Sequence, residues 1–127
     1  MADNEIQLAK SGSTPKVEVA FGHAQFGKYQ LFLWDANGQN SQKVGDGVND
    51  DDKPDVFDLG SVAALDKRIL SWELIVAGFV EDPNQHYSAS VTITQDGKTV
   101  QGGVFSYSGT LAQGTELLFA HARFIVS

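Results

Sequence analysis

The chain has 127 residues, of which 42% are hydrophobic and 20% charged, and this composition predicts one globular domain with its own core. Its net charge of −7 argues against a nucleic-acid partner and against an anionic membrane surface, because both need clustered Lys and Arg. The sequence has no Cys, which excludes disulfides, thiolate catalysis and Cys-ligated zinc.

The N-terminal residues 1–7 have neither a basic region nor an apolar stretch, so no classical secretory signal is predicted. No apolar run reaches the roughly 18 residues that a membrane-spanning helix needs. We therefore expect a cytoplasmic protein without membrane insertion, with non-classical export as the alternative. Residues 1–15 are polar and end in Ser-Gly-Ser-Thr-Pro, which predicts a flexible tail ahead of a single domain over residues 16–127.

The first half of the domain contains three predicted strands, at Lys16–Ala24, Lys28–Asp35 and around Gln42–Val44. The second of these carries apolar side chains on both faces, so we expect it to be central in a sheet or to present an exposed aromatic pair. Asn37-Gly38 behind it is a turn signal. A brief strand at Val56–Leu59 and a helical turn at Ser61–Asp66 complete this half.

The second half has stronger strand patterns. In Arg68–Val80 the large apolar side chains share one face, which predicts that Trp72 lies in the core. Tyr87–Gln95 alternates apolar and hydroxyl side chains, which is typical of a strand with one solvated face. Asp96-Gly97 predicts a type I′ hairpin leading into a strand from Thr99 onwards.

The strand after this hairpin contains Gly102-Gly103, which predicts a bulge. The last strand, Glu116–Val126, is apolar on both faces. It is expected to lie inside a sheet or in an oligomer interface, and a dimer is expected if it forms a sheet edge.

Seven to nine short strands with turns about 10 residues apart, and no long helix, are typical of an all-β domain. The sequence therefore predicts an antiparallel β-sandwich, jelly-roll-like or Ig-like.

The segment Gly45–Gly60, called the acidic segment, contains six of the sixteen acidic residues, which predicts a charged loop. Its oxygen-bearing side chains are of the kind that Ca²⁺ prefers, and Gly45 and Gly47 would let the backbone approach an ion. The candidate metal ligands are Asp46, Asn49, Asp50, Asp52 and Asp55. Their spacing does not follow the EF-hand pattern, so a solvated loop that only promotes solubility is the competing interpretation.

Each aromatic residue on a predicted strand is more often a core residue than a ligand platform. Among them Trp34 is the best candidate for a platform, because it leads directly into a turn and sugar-binding sandwiches stack rings on exposed aromatics. Asp35 and Asn37 lie beside it and would bond sugar hydroxyls. These three residues form the candidate ligand site.

No serine-hydrolase, P-loop, dinucleotide or zinc-protease motif occurs in the sequence, so we expect a non-enzymatic protein. Two hypotheses remain. The first is a binding or interaction module that associates with itself or with a protein partner. The alternative is a calcium-assisted, lectin-like carbohydrate-binding domain.

Overall fold

The computed structural model describes residues 4–22, 26–48, 53–77, 86–111 and 115–127. These residues form nine strands and one helix, namely β1 (Asn4–Leu8), β2 (Lys16–Gly22), β3 (Phe26–Trp34), β4 (Gln42–Val48), β5 (Asp55–Asp58), α1 (Val62–Leu65), β6 (Ile69–Ala77), β7 (His86–Gln95), β8 (Lys98–Thr110) and β9 (Thr115–Val126). Over this part of the chain, no helix has the length and apolar character required to cross a bilayer.

The strands form two sheets that pack face to face. Sheet A has the order β1-β9-β6-β3-β4 and sheet B the order β5-β2-β7-β8. Neighbouring strands are antiparallel except β1 and β9, which are parallel. The predicted β-sandwich is confirmed. The last strand, β9, lies between β1 and β6 and is therefore not an edge strand. The condition under which its two apolar faces would predict a dimer is not met.

The core lies between the sheets and is built from alternate side chains of each strand. On β6 these are Leu70, Trp72, Leu74 and Val76, and on β7 they are Tyr87, Ala89, Val91 and Ile93, as predicted. Trp72 is only 1% exposed, its Nε1 donates to the Tyr107 hydroxyl at 2.9 Å, and its ring centroid lies 4.6 Å from that of Phe105. A fully buried side chain of this kind contributes roughly 1.5–3 kcal/mol.

Residues 4–8, which the sequence predicts to belong to a flexible tail, form the strand β1 at the edge of sheet A. Asn4 lies opposite Ala122 and Leu8 opposite Val126 in parallel register, and Ile6 and Leu8 are buried. The sequence prediction was wrong because two apolar residues are too few to display the strand period, and because the pairing strand lies at the other end of the chain.

Gln95 is a buried polar side chain that ties the link between β1 and β2 to sheet B. Its Oε1 accepts from the Ala9 backbone N–H at 2.8 Å. Its Nε2 donates to the carbonyl oxygens of Ala9 at 2.8 Å and Ser13 at 3.0 Å. Because these bonds satisfy the amide, its burial is tolerated, and they anchor β1 to the β7–β8 hairpin as well as to β9.

The β7–β8 hairpin has the predicted turn, with φ of 57° at Asp96 and 74° at Gly97. Further along, the register of the two strands shifts between Thr92 and Thr94, which confirms the bulge around Gly102-Gly103. Gly102 has a φ of 76°, and a Cβ added there would collide with the carbonyl oxygen of Glu5. The bulge therefore lets β1 pass close to β8 and joins the two sheets along this side.

The acidic segment is not one continuous loop, because Gly45–Val48 belongs to β4 and Asp55–Asp58 to β5. Gly45 and Gly47 lie over aromatic rings: a Cβ at Gly45 would meet Phe57, and one at Gly47 would meet Tyr29. The sequence predicts that these two glycines open the backbone to a cation. In the structure they make room for rings of the core.

Replacing Gly102 by Ala is expected to destabilise the fold more than replacing Gly38, whose φ of 78° is nearly the same. Gly38→Ala should cost about 1 kcal/mol, the penalty of a left-handed Ala, since nothing lies within 4 Å of its added Cβ. Gly102→Ala also pushes β1 away from β8, so we expect a total of about 3 kcal/mol. Urea unfolding of both variants measures the difference. Equal losses would show that the β1–β8 contact does not depend on this glycine.

Candidate functional site

The side chains of sheet A that point away from sheet B form the outer face of sheet A. Since side chains alternate along each strand, the residues of this face lie between the core residues just described. Its neighbouring positions are set by strand register, in the cross-strand pairs Ile75–Leu117, Glu73–Phe119, Ser71–His121, Phe32–Ser71 and Trp34–Ile69.

Three large apolar side chains are exposed together where β6 ends and β9 begins. We call them the Phe119 patch: Phe119 is 70% exposed, Leu117 54% and Ile75 42%. The remaining exposed large apolar side chains of the described residues are three valines on three different strands, Val48, Val56 and Val104. Single exposed apolar residues are ordinary, whereas a contiguous group of them is typical of a binding surface.

A shallow groove of about 280 Å³ lies at the opposite end of the same face and is called the Trp34 groove. It is lined by Trp34, Gly38, Ile69, Ser71 and His121. Trp34 is partly buried, and its Nε1 donates to the Ser71 Oγ at 2.8 Å. This bond fixes the indole ring against β6, so the groove has a rigid aromatic wall.

The turn after Trp34 holds the other two predicted ligand residues, and both make hydrogen bonds inside the turn. The Asp35 Oδ2 accepts from the Asn40 Nδ2 at 2.9 Å, and the Asn37 Oδ1 accepts from the Gln39 backbone N–H at 3.1 Å. These polar atoms therefore shape the turn, and Trp34 is the member of the predicted site that lines the groove.

Two arginines hold the backbone at this end of sheet A. The Arg123 Nη1 donates to the carbonyl oxygens of Ala36 at 2.9 Å and Lys67 at 2.6 Å, and the Arg68 Nε donates to that of Trp34 at 3.2 Å. His121 and Arg123 share one face of β9, and Arg123 joins that face to the turn beyond Trp34. The groove thus rests on charge-assisted bonds to two backbone segments, residues 34–36 and Lys67.

Of the predicted metal ligands, Asn49, Asp50 and Asp52 lie outside the described residues. Asp46 is on the outer face of sheet A and lies 3.0 Å from the Lys43 Nζ. Asp55 is on sheet B, and its Oδ2 accepts from the hydroxyl of the buried Tyr29 at 2.5 Å. The two described carboxylates thus belong to different sheets and have different partners. Within the described ranges, no three His, Cys, Asp or Glu side chains are grouped to hold a metal ion.

Sequence reasoning found Trp34 but not the rest of the groove, because Ile69, Ser71 and His121 come from strands that are distant in sequence. The sequence did indicate the Phe119 patch, because the last strand carries apolar residues on both of its faces. What the pattern could not show was that the outer of these two faces would remain uncovered.

Comparison of the chain with protein-family models, with curated proteins and with solved structures gives no match. A functional assignment therefore depends on the chemistry of the site. Its two distinctive features, the Phe119 patch and the Trp34 groove, both lie on the outer face of sheet A.

Proposed function

We propose that this chain is a non-enzymatic interaction module that binds a protein through the outer face of sheet A. The observation that carries the proposal is Phe119, which is 70% exposed beside two other exposed apolar side chains. In protein interfaces, a few large side chains at the centre, aromatic ones above all, supply most of the binding energy. A Phe with Leu and Ile neighbours is suited to that role.

The free energy available from this residue is substantial. A Phe side chain has about 200 Å² of surface, and 70% of Phe119 is exposed. At about 25 cal/mol for each Å² of apolar area, covering it would contribute about 3.5 kcal/mol, or roughly 300-fold in affinity. None of the three apolar side chains of the patch lines the Trp34 groove, so a ligand that fills this groove leaves them uncovered, and a protein surface is the better match.

The outer face of sheet B differs in chemical character and supports the choice of sheet A. Its β7 and β8 positions include the cross-strand pairs Ser88–Ser108 and Ser90–Ser106, with Thr92 and Thr94 along the same strand. Hydroxyl side chains stay hydrated at little cost. The exposed Val56 and Val104 of this face are separated by Glu18 and Thr92 in the strand register, so they form no contiguous apolar patch. The contrast between the two faces of one domain favours sheet A as the binding side.

Photo-crosslinking at two matched positions tests the proposal. The photoreactive amino acid p-benzoylphenylalanine would replace Phe119 in one variant and Val104, which is 55% exposed on sheet B, in the other. In cells that make the protein at its natural level, irradiation is expected to link a protein to position 119 and not to position 104. Absence of an adduct at position 119, or equal adducts at both positions, would contradict the proposal.

A second candidate function, carbohydrate binding, is favoured by the Trp34 groove. An indole ring covers the apolar face of a sugar, and Ser71 and His121 line the same groove with groups that hydrogen-bond hydroxyls. Calcium binding by the acidic segment stays a separate proposal, because β4 ends at Val48, beside Lys28 and Ile75, at the far end of the face from the Trp34 groove.

Calorimetric titration with a panel of oligosaccharides tests this second candidate. The expected result is a binding heat that Trp34→Ala abolishes or weakens by at least about tenfold, and that Phe119→Ser leaves intact. Repeating the titration with EDTA and with millimolar Ca²⁺ tests the calcium. Binding that survives Trp34→Ala unchanged would remove the groove from consideration.

A further inference from the structure

Lys28 and Glu73 flank Ile75 on the outer face of sheet A, and from this arrangement we infer that the protein bound there is a second copy of the same chain. The inference rests on the function proposed above and names its partner. The two copies would meet face to face around a two-fold axis, as most soluble homodimers do.

The charge of the face is the first argument for a second copy. Its strands present three basic side chains, Lys28, Lys43 and Arg123, and three acidic ones, Glu5, Asp46 and Glu73. These formal charges cancel, whereas the whole chain carries −7. Two copies that meet on this face therefore carry no net charge against each other. A strongly basic or strongly acidic partner would require a face of the opposite sign.

The position of Lys28 and Glu73 is the second argument. Lys28 is the cross-strand neighbour of Ile75, and Glu73 precedes Ile75 by two residues on β6. All three residues line one small groove. With the rest of the described chain, neither Lys28 nor Glu73 makes an ion pair or a side-chain hydrogen bond. One positive and one negative group beside an apolar centre are thus available to a partner.

Two-fold symmetry turns this pair into a self-complementary contact, because every contact in such a dimer occurs twice. An axis that lies in the face between Lys28 and Glu73 places Lys28 of each copy opposite Glu73 of the other. The same axis passes beside Ile75 and Leu117, so these side chains pack near their own symmetry copies. A single arrangement therefore pairs both charges and covers the Phe119 patch.

The size of the face also fits a dimer. Five strands about 4.8 Å apart, with nine residues of about 3.4 Å each along β6, span roughly 24 Å by 30 Å, or about 700 Å² on each copy. Stable interfaces bury about 800 Å² on each partner. The outer face of sheet A is close to this area without any contribution from loops.

Charge reversal tests the inference, with sedimentation velocity of the purified full chain over a wide concentration range as the measurement. Lys28→Glu and Glu73→Lys should each weaken the dimer at least about tenfold, since like charges then meet twice in each homodimer. An equimolar mixture of the two variants should recover wild-type affinity to within about threefold, because both charge pairs are again opposite in the mixed dimer. Lys98→Glu, at the start of β8, makes the same change in net charge as Lys28→Glu but away from the face, and it should have little effect.

Two outcomes would overturn the inference. The first is a wild-type chain that stays monomeric up to millimolar concentration. If position 119 nevertheless crosslinks to another protein in cells, the proposed function holds and only the second copy is wrong. The second is a wild-type dimer that neither reversal weakens more than Lys98→Glu does, which would place the dimer contact on another surface.

Discussion

The packing of Trp72 between the two sheets is the contact on which the rest of the structure depends. Its ring lies against Phe105 and its Nε1 bonds the Tyr107 hydroxyl, so the centre of sheet A is locked to the edge strand of sheet B. Because side chains alternate along a strand, fixing Trp72 inward fixes Ser71 and Glu73 outward. Cross-strand register then places His121 and Phe119 beside them. The outer face of sheet A thus takes its geometry from the core and needs no separate ordering before it binds a partner, which lowers the entropic cost of association.

The two outer faces of the sandwich differ in the polarity of their exposed side chains. Sheet B presents hydroxyl side chains that remain hydrated, while sheet A presents Phe119, Leu117 and Ile75 at one end and the Trp34 groove at the other. The polar groups between and around these features balance in charge, and the negative charge of the chain is concentrated elsewhere. An apolar centre with balanced charges beside it is the arrangement expected of a surface that recognises its own copy, since the apolar contact gives affinity and the charges fix orientation.

The sequence predicts those parts of the fold and of the candidate site that depend on interactions between residues close together in the chain. The turn at Asp96-Gly97, the alternation of β7 and the inward position of Trp72 follow from turn chemistry and strand period, and all three were predicted correctly. The strand β1 was missed because Ile6 and Leu8 are ordered and buried only through pairing with β9, which lies at the far end of the chain. The sequence predicts one loop over the acidic segment, because nothing local shows that Gly45 and Gly47 lie over the rings of Phe57 and Tyr29. The groove was missed apart from Trp34 for the same reason, since its other walls are set by register between distant strands.

The most direct test of the central claim is NMR of methyl groups in the presence of a soluble paramagnetic agent, at low and at high protein concentration. Ile75 and Leu117 report on the outer face of sheet A, and Val56 and Val104 on sheet B. We predict that relaxation by the agent falls with concentration for the first pair, because a second copy shields them, while the second pair remains accessible throughout. Shielding of Val56 and Val104 instead, or full access to Ile75 and Leu117 at the highest concentration, would contradict the account.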